Sequence, residues 1–277
     1  MNSRTGKYAS PIYNVFEYLA LFVIVLMHEF GHSLACRQVG GTANQIVLWP
    51  LGGVAYVSPP QRPGATLWSI AAGPLVNVVL MVVLSGALML AKRTGWANHF
   101  PDDLLLLLQA VWWINTGLLI FNILPIYPLD GGQILRSLLW FGVGRARSLF
   151  IASILGFFGV AGLLCVAFWQ QSVWMGVLSV FILINCWRGF QEARAMMQLA
   201  KGPRRTEFAC PSCHASPPSG PLWVCAQCRN PFDTFASGAV CPHCGAQFNL
   251  TACVECGAQS PIGQWQSAPP PLGRSAI

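Results

Sequence analysis

His28-Glu29-Phe30-Gly31-His32 places two imidazoles four positions apart, with a carboxylate beside the first. On a helix, residues i and i+4 stand on one face a turn apart. Both rings can therefore address a single metal ion, and zinc is the ion this spacing suits. Glu29 is then placed to take a proton from an activated water, which is hydrolytic chemistry. On the surface of a soluble protein the same five residues would as readily be a chance match. Here they lie in residues 12–36, apolar apart from Glu17 and the motif itself. A charged side chain at mid-bilayer costs roughly 2.5–3.5 kcal/mol on insertion scales, and ionisable residues there are functional by default.

Two histidines leave a catalytic zinc site incomplete, because such sites take three protein ligands and keep one position open. Asp130 is the candidate third ligand, being the only acidic residue between Asp103 and Glu192. It ends an apolar stretch, and Gly131-Gly132 after it allow a tight turn. Its other reading is a turn aspartate, since Asp before Gly is ordinary turn chemistry. Beside an incomplete His-His site in the same membrane, the ligand reading is the stronger.

These residues have to be positioned by membrane-embedded elements. The chain is 54% hydrophobic and 9% charged, against about 25% charged in soluble domains. After the 12–36 helix, the β-prone runs within 45–57 flank Leu51-Gly52-Gly53 and predict a hairpin too apolar for a solvated loop. Residues 63–91 carry no charge, nor do 104–129. A short amphipathic helix is expected over 133–143. The uncharged stretch 148–187 is long enough for two spans with a turn at Gln170-Gln171, because about 20 residues cross a bilayer. The expected fold is an all-α polytopic membrane domain of about five transmembrane helices plus a membrane-associated β-hairpin (residues 1–200), followed by a small C-terminal zinc-ribbon module.

Five spans put the termini on opposite sides. Arg37, Arg136, Arg145, Arg147, Arg188, Arg194, Lys201, Arg204 and Arg205 fall on the face where the fifth span ends, which the positive-inside rule makes cytoplasmic. Arg4, Lys7, Lys92 and Arg93 dissent but are outnumbered. The net charge of +7 is thus accounted for beside membrane segments and is weak evidence for nucleic acid. No secretory signal is evident, since the first apolar run ends in HEFGH rather than in a small-residue cleavage site.

Three motifs in order, HEFGH, Ala72-Gly73-Pro74-Leu75-Val76-Asn77 and Asn122-x-x-Pro-x-x-Pro-Leu-Asp130-Gly-Gly, resemble the site-2 protease family of intramembrane metalloproteases. The resemblance covers about residues 12–190. It is strongest to the bacterial branch that includes the sporulation-factor-processing protease, through the Leu-Gly-Gly hairpin and the Pro-Leu-Asp-Gly-Gly motif. It implies His28, His32 and Asp130 as ligands of a catalytic zinc, Glu29 as general base, and an active site that faces the cytoplasm. It also implies transmembrane protein substrates in a bacterial plasma membrane. Relatives of this branch carry one more span before the HExxH helix, and 27 residues precede His28 here. A helical substrate must unwind before cleavage, and non-helical backbone in a membrane is tolerated only where it lines a cavity. The 45–57 hairpin can offer an edge strand to such a segment, or can be a structural plug. Asn77 and Asn122 are candidates for bonding substrate backbone or the oxyanion. Asn115 is a weaker one, and interhelical glue is the alternative for all three.

Eight of eleven cysteines form four CxxC pairs in the last third, a metal-binding pattern of a reducing compartment. Cys36, Cys165 and Cys186 lie in apolar segments and read as packing residues. Residues 206–260 resemble a double zinc ribbon. Adjacent pairing is expected ahead of crossed pairing, the alternative: Cys210, Cys213, Cys225 and Cys228 on one structural zinc, Cys241, Cys244, Cys253 and Cys256 on another. His214 and His243, within or beside the knuckles, are not expected to be ligands. Closed four-thiolate sites do no chemistry but can fold a module too small to bury a core. Residues 261–277 are expected to be a disordered tail. Residues 206–277 hold two arginines and no lysine, a poor footprint for nucleic acid, so a cytosolic protein is the partner the ribbons suggest.

Three readings follow. The first is a zinc protease cutting within or near transmembrane helices, with zinc as cofactor three times over. The second is a non-catalytic membrane adaptor working through its ribbons, against which the intact Glu29 argues. The third is a zinc transporter, which would need polar residues along several spans.

Overall fold

The computed structural model describes residues 7–49, 52–94 and 102–265. Helix α1 runs Ile12–Gln38, and the antiparallel strands β1 (Thr42–Trp49) and β2 (Gly52–Ser58) follow. Their register pairs Ile46 with Ala55, with an irregularity between Ala43 and Gln45. Then come α2 (Pro63–Arg93), α3 (Asp102–Ile123), α4 (Asp130–Val143), α5 (Arg145–Trp169) and α6 (Val173–Lys201). Among the described residues, five helices are long and apolar enough to cross a membrane: α1, α2, α3, α5 and α6.

Helix α4 starts three residues before the expected position. Gly131 and Gly132 look like helix breakers, yet here they bring the first turn of α4 against the backbone of residues 123–127. A Cβ on Gly132 would lie 2.5 Å from the Ile126 carbonyl carbon. Asp130 takes the first turn, where a carboxylate suits the helix dipole.

The loop between α3 and α4 is seated in a socket of small residues. Ile126 packs with Val160, Ile182 and Cys186 in a buried cluster. A Cβ on Gly156 would meet Cys186 Sγ at 2.6 Å and Tyr127 O at 3.0 Å, and one on Gly189 would meet the Tyr127 ring at 2.7 Å. Cys186 Sγ donates to Tyr127 O at 2.8 Å. The last two spans thus grip the segment that delivers Asp130.

The chain divides into two compact units, Met1–Ala193 and Arg194–Ile277. The second holds two short antiparallel pairings and two isolated bridges, each flanking a CxxC knuckle or its approach. Asp233 ties this unit together. It accepts from Arg205 Nη2 at 2.7 Å, from Gly220 N at 3.0 Å and from the amides of Phe235 and Ala236. Residues 262–264 form a 3-10 turn and Trp265 is 4% exposed against Phe235. The expected tail from 261 is therefore ordered to 265, because Trp265 completes an aromatic core with Phe208, Trp223 and Phe235. The remainder of that tail lies outside the described residues, as do His99 and the hairpin tip.

Candidate metal centre

His28 and His32 are buried on one face of α1, and their Nε2 atoms stand 3.1 Å apart. Asp130 Oδ2, arriving on α4, is 2.9 Å from His28 Nε2 and 3.4 Å from His32 Nε2. The other nitrogen of each ring is committed. His32 Nδ1 lies 2.9 Å from the Ser69 carbonyl, and His28 Nδ1 lies 2.6 Å from Asn77 Oδ1. Both partners accept, so each Nδ1 carries a proton, and in the neutral ring each Nε2 is left as a lone pair. Asp130 Oδ2 is itself buried and receives no hydrogen bond. With the rings neutral, three acceptors converge, and a cation at their centre would satisfy all three. Nitrogen and oxygen ligands about 2.0–2.2 Å from a tetrahedral zinc stand about 3.3–3.5 Å apart, close to the separations seen here. The residues fit the ion.

Helix α2 supplies the wall behind the rings. A Cβ on Gly73 would run into His32 Nε2 and Cε1 and lie 2.9 Å from His28 Nε2, so only glycine leaves room. Gly31 allows the reciprocal approach, its missing Cβ pointing at Ala72 O, 2.7 Å away. Pro74 removes one bond of the helical ladder. In the preceding turn, the carbonyl of Ser69 reaches His32.

Glu29 is buried beside the rings and faces β2. Its Oε2 accepts from Ala55 N at 2.8 Å. A Cβ on Gly53 would stand 2.6 Å from Glu29 Cγ, so the hairpin approaches the carboxylate closely because that position is bare. The Ala55 N–H is turned away from β1, which puts the outer edge of β2 along the candidate site.

Comparison with known proteins bears on this geometry. The model of peptidase family M50 matches residues 16–104 and 84–166, together more than half of the chain. The chain belongs to peptidase family M50. A zinc metalloprotease of Methanocaldococcus jannaschii is 35% identical over 140 residues, half of this chain and 39% of that protein. Stage IV sporulation protein FB of Bacillus subtilis is 33% identical over 119 residues, 42% of this chain and 38% of that protein. This M50 chain therefore matches about two fifths of the length of these curated relatives. A solved site-2 protease from Methanocaldococcus jannaschii has a TM-score of 0.49 at 28% identity, covering 66% of this chain and 81% of that one. With five apolar spans, this M50 member is an integral, multi-pass membrane protein.

The asparagines divide. Asn122 is half-buried near the end of α3, and no hydrogen bond among the described residues engages its side chain. Asn77, a candidate for either substrate bonding or interhelical bonding, is fully buried with both side-chain atoms engaged, by His28 and by Asn115. Ser69 and Ala55 carry no signal in the sequence, Gly73 is visible there only as part of its motif, and Cys186 only as a packing residue. Gly73 and Asn77 sit in one motif at a helical spacing of four, which was a usable sign that both face the same neighbour.

In the second unit the structure overturns the expected cysteine pairing. Cys210 and Cys213 group with Cys253 and Cys256, and Cys225 and Cys228 group with Cys241 and Cys244. The pairing is nested because two aromatic clusters separate the knuckles. Phe208, Trp223, Phe235 and Trp265 surround the outer pair, while Phe232 and Phe248 pack with the inner pair. The cross-pair Sγ separations are 3.8 Å in the outer group and 3.6 Å in the inner. These exclude disulfides, whose sulfurs bond at about 2.05 Å. They match thiolates about 2.3 Å from a tetrahedral zinc, which stand about 3.8 Å apart. The Cys228 amide bonding Cys225 Sγ pulls that thiol down to about 6.

Proposed function

We propose that this chain is a zinc-dependent intramembrane endopeptidase that hydrolyses peptide bonds within or near transmembrane helices of membrane-protein substrates. The observation that carries this is the convergence of His28 Nε2, His32 Nε2 and Asp130 Oδ2 beside the buried Glu29, within apolar spans. His28, His32 and Asp130 would hold the ion. Zinc there supplies Lewis-acid activation of water and of the scissile carbonyl. Glu29 takes the proton from the attacking water and returns it to the leaving amine. Its bond to Ala55 N fixes the orientation of the carboxylate beside the histidines. The outer edge of β2 receives the unwound substrate as an added strand and lays it beside Glu29. Asn122 is free to bond substrate backbone or the developing oxyanion.

Two further zinc ions belong to the ribbon unit, where they are structural, giving three per chain. We place that unit in the cytoplasm of a bacterium, on the side where arginines cluster after the last span, with a cytosolic protein as its partner. The host membrane is the plasma membrane.

Glu29→Gln is the deciding variant. It is expected to abolish cleavage while zinc stays at three per chain, read by metal analysis of the purified protein. Proteomics of membrane-protein fragments from cells carrying each form then identifies substrates. Undiminished processing by Glu29→Gln would overturn the assignment.

A further inference from the structure

The two histidines are held by partners of different kinds. His32 Nδ1 bonds a main-chain carbonyl, which can only accept. His28 Nδ1 bonds the carboxamide of Asn77, which offers an oxygen on one side and an N–H on the other. If that amide turned over, Nδ2 would face His28 and demand a lone pair from Nδ1. The ring proton would then move to Nε2, pointing at His32 Nε2 and Asp130 Oδ2. A proton would occupy the place of the ion.

What prevents this is on α3. Asn115 Nδ2 donates to the main-chain carbonyl of Asn77 at 2.9 Å. A carbonyl oxygen cannot donate, so this bond fixes which end of the Asn115 amide is which. Asn115 Oδ1 therefore accepts, and Asn77 Nδ2 donates to it at 2.9 Å. Asn77 Oδ1 is left to face His28. Every orientation in the chain Asn77 O, Asn115, Asn77, His28 follows from one backbone carbonyl. Both asparagines are fully buried, so bulk water does not compete for either bond.

We propose that Asn115 is a positioning residue that locks the Asn77 carboxamide and so holds His28 in the tautomer whose Nε2 can bind a metal. The proposal rests on reading His28, His32 and Asp130 as metal ligands. Among the described residues both hydrogen bonds of the Asn115 side chain go to Asn77 and none to these three, so its effect passes through Asn77.

The test uses the full chain in lipid nanodiscs with cobalt as a spectroscopic stand-in. Four-thiolate cobalt shows sulfur-to-metal charge transfer that a nitrogen-oxygen site lacks, so occupancy of the two kinds of site reads separately. Zinc affinity of the nitrogen-oxygen site comes from chelator competition. Asn115→Leu is expected to weaken it about 10- to 100-fold, the usual size of losing an outer partner of a ligating histidine. Asn115→Ala removes the same amide without added bulk and is read the same way. The discriminating background is Asn77→Asp. A carboxylate presents an acceptor to His28 whichever way it turns, so Asn115→Leu added to it should cost little. Removing the Asn115 oxygen that then faces the carboxylate should leave affinity at or above that of Asn77→Asp alone. Equal losses in both backgrounds would make Asn115 a packing residue between α2 and α3 and overturn the lock. A parent protein that takes up no cobalt outside its thiolate sites would instead overturn the reading of the site itself.

Discussion

Gly73 stands where a single methyl group would decide whether the histidines can meet. Its missing Cβ points at both imidazoles, with the ring of His32 in direct contact. In a helix interior, exchange of glycine for alanine normally gains up to about 1 kcal/mol, so Gly73→Ala should leave the spans folded. What it should cost is the metal. One ring has to turn, and zinc is expected to fall from three per chain toward two, with the thiolate sites intact. Gly86, on the same helix with open space where its Cβ would be, is the control, and Gly86→Ala should keep all three ions. Full zinc in Gly73→Ala would mean that the rings are held less tightly than their bonds to Asn77 and Ser69 imply.

The elements that hold Asp130 are not the ones that carry the histidines. Its loop is clasped by α5 and α6 through Gly156, Gly189 and Cys186, and neither helix contributes a residue to the His28, His32 and Asp130 group. A side chain on Gly156 has to displace Cys186 Sγ or the Tyr127 carbonyl. Gly156→Val should therefore weaken zinc at the His-His-Asp site by about tenfold or more, as outer-partner losses do, while Glu29 and both histidines remain in place. An unchanged affinity would show that the first turn of α4 fixes Asp130 unaided. This dependence was not legible in the sequence, where 148–187 reads only as two apolar spans and Cys186 as packing. The spans themselves were legible, because uncharged runs broken by Lys92-Arg93, Pro128 and Gln170-Gln171 obey the bilayer's length requirement. Asp130 was legible too, as the one acid in a long uncharged region. The direction of Asn77 was not, since an asparagine in a span bonds whatever the neighbouring helix presents.

At the scale of the whole chain the same limit appears in the cysteines. Consecutive knuckles are separated by 11, 12 and 8 residues, and any of these spacers is long enough to bring two knuckles together. Spacing alone therefore favoured neighbours, while the aromatic cores chose a nested arrangement. The two pairings have opposite consequences when knuckles are removed in twos. Exchanging Cys210, Cys213, Cys253 and Cys256 for serine should remove one zinc and leave a complete four-thiolate site on Cys225, Cys228, Cys241 and Cys244. Exchanging Cys210, Cys213, Cys225 and Cys228 should strip half of each site and lose two zincs, leaving only the ion of the membrane unit. Adjacent pairing reverses the outcomes, with two ions lost in the first variant and one in the second. Zinc per chain and the thiolate charge-transfer band of the cobalt form read both variants. Because each four-thiolate site supplies folding free energy to a unit with little core, the first variant should also keep Phe232 and Phe248 packed while Trp265 becomes exposed. Tryptophan fluorescence of the two variants would then differ in the same sense as their zinc counts.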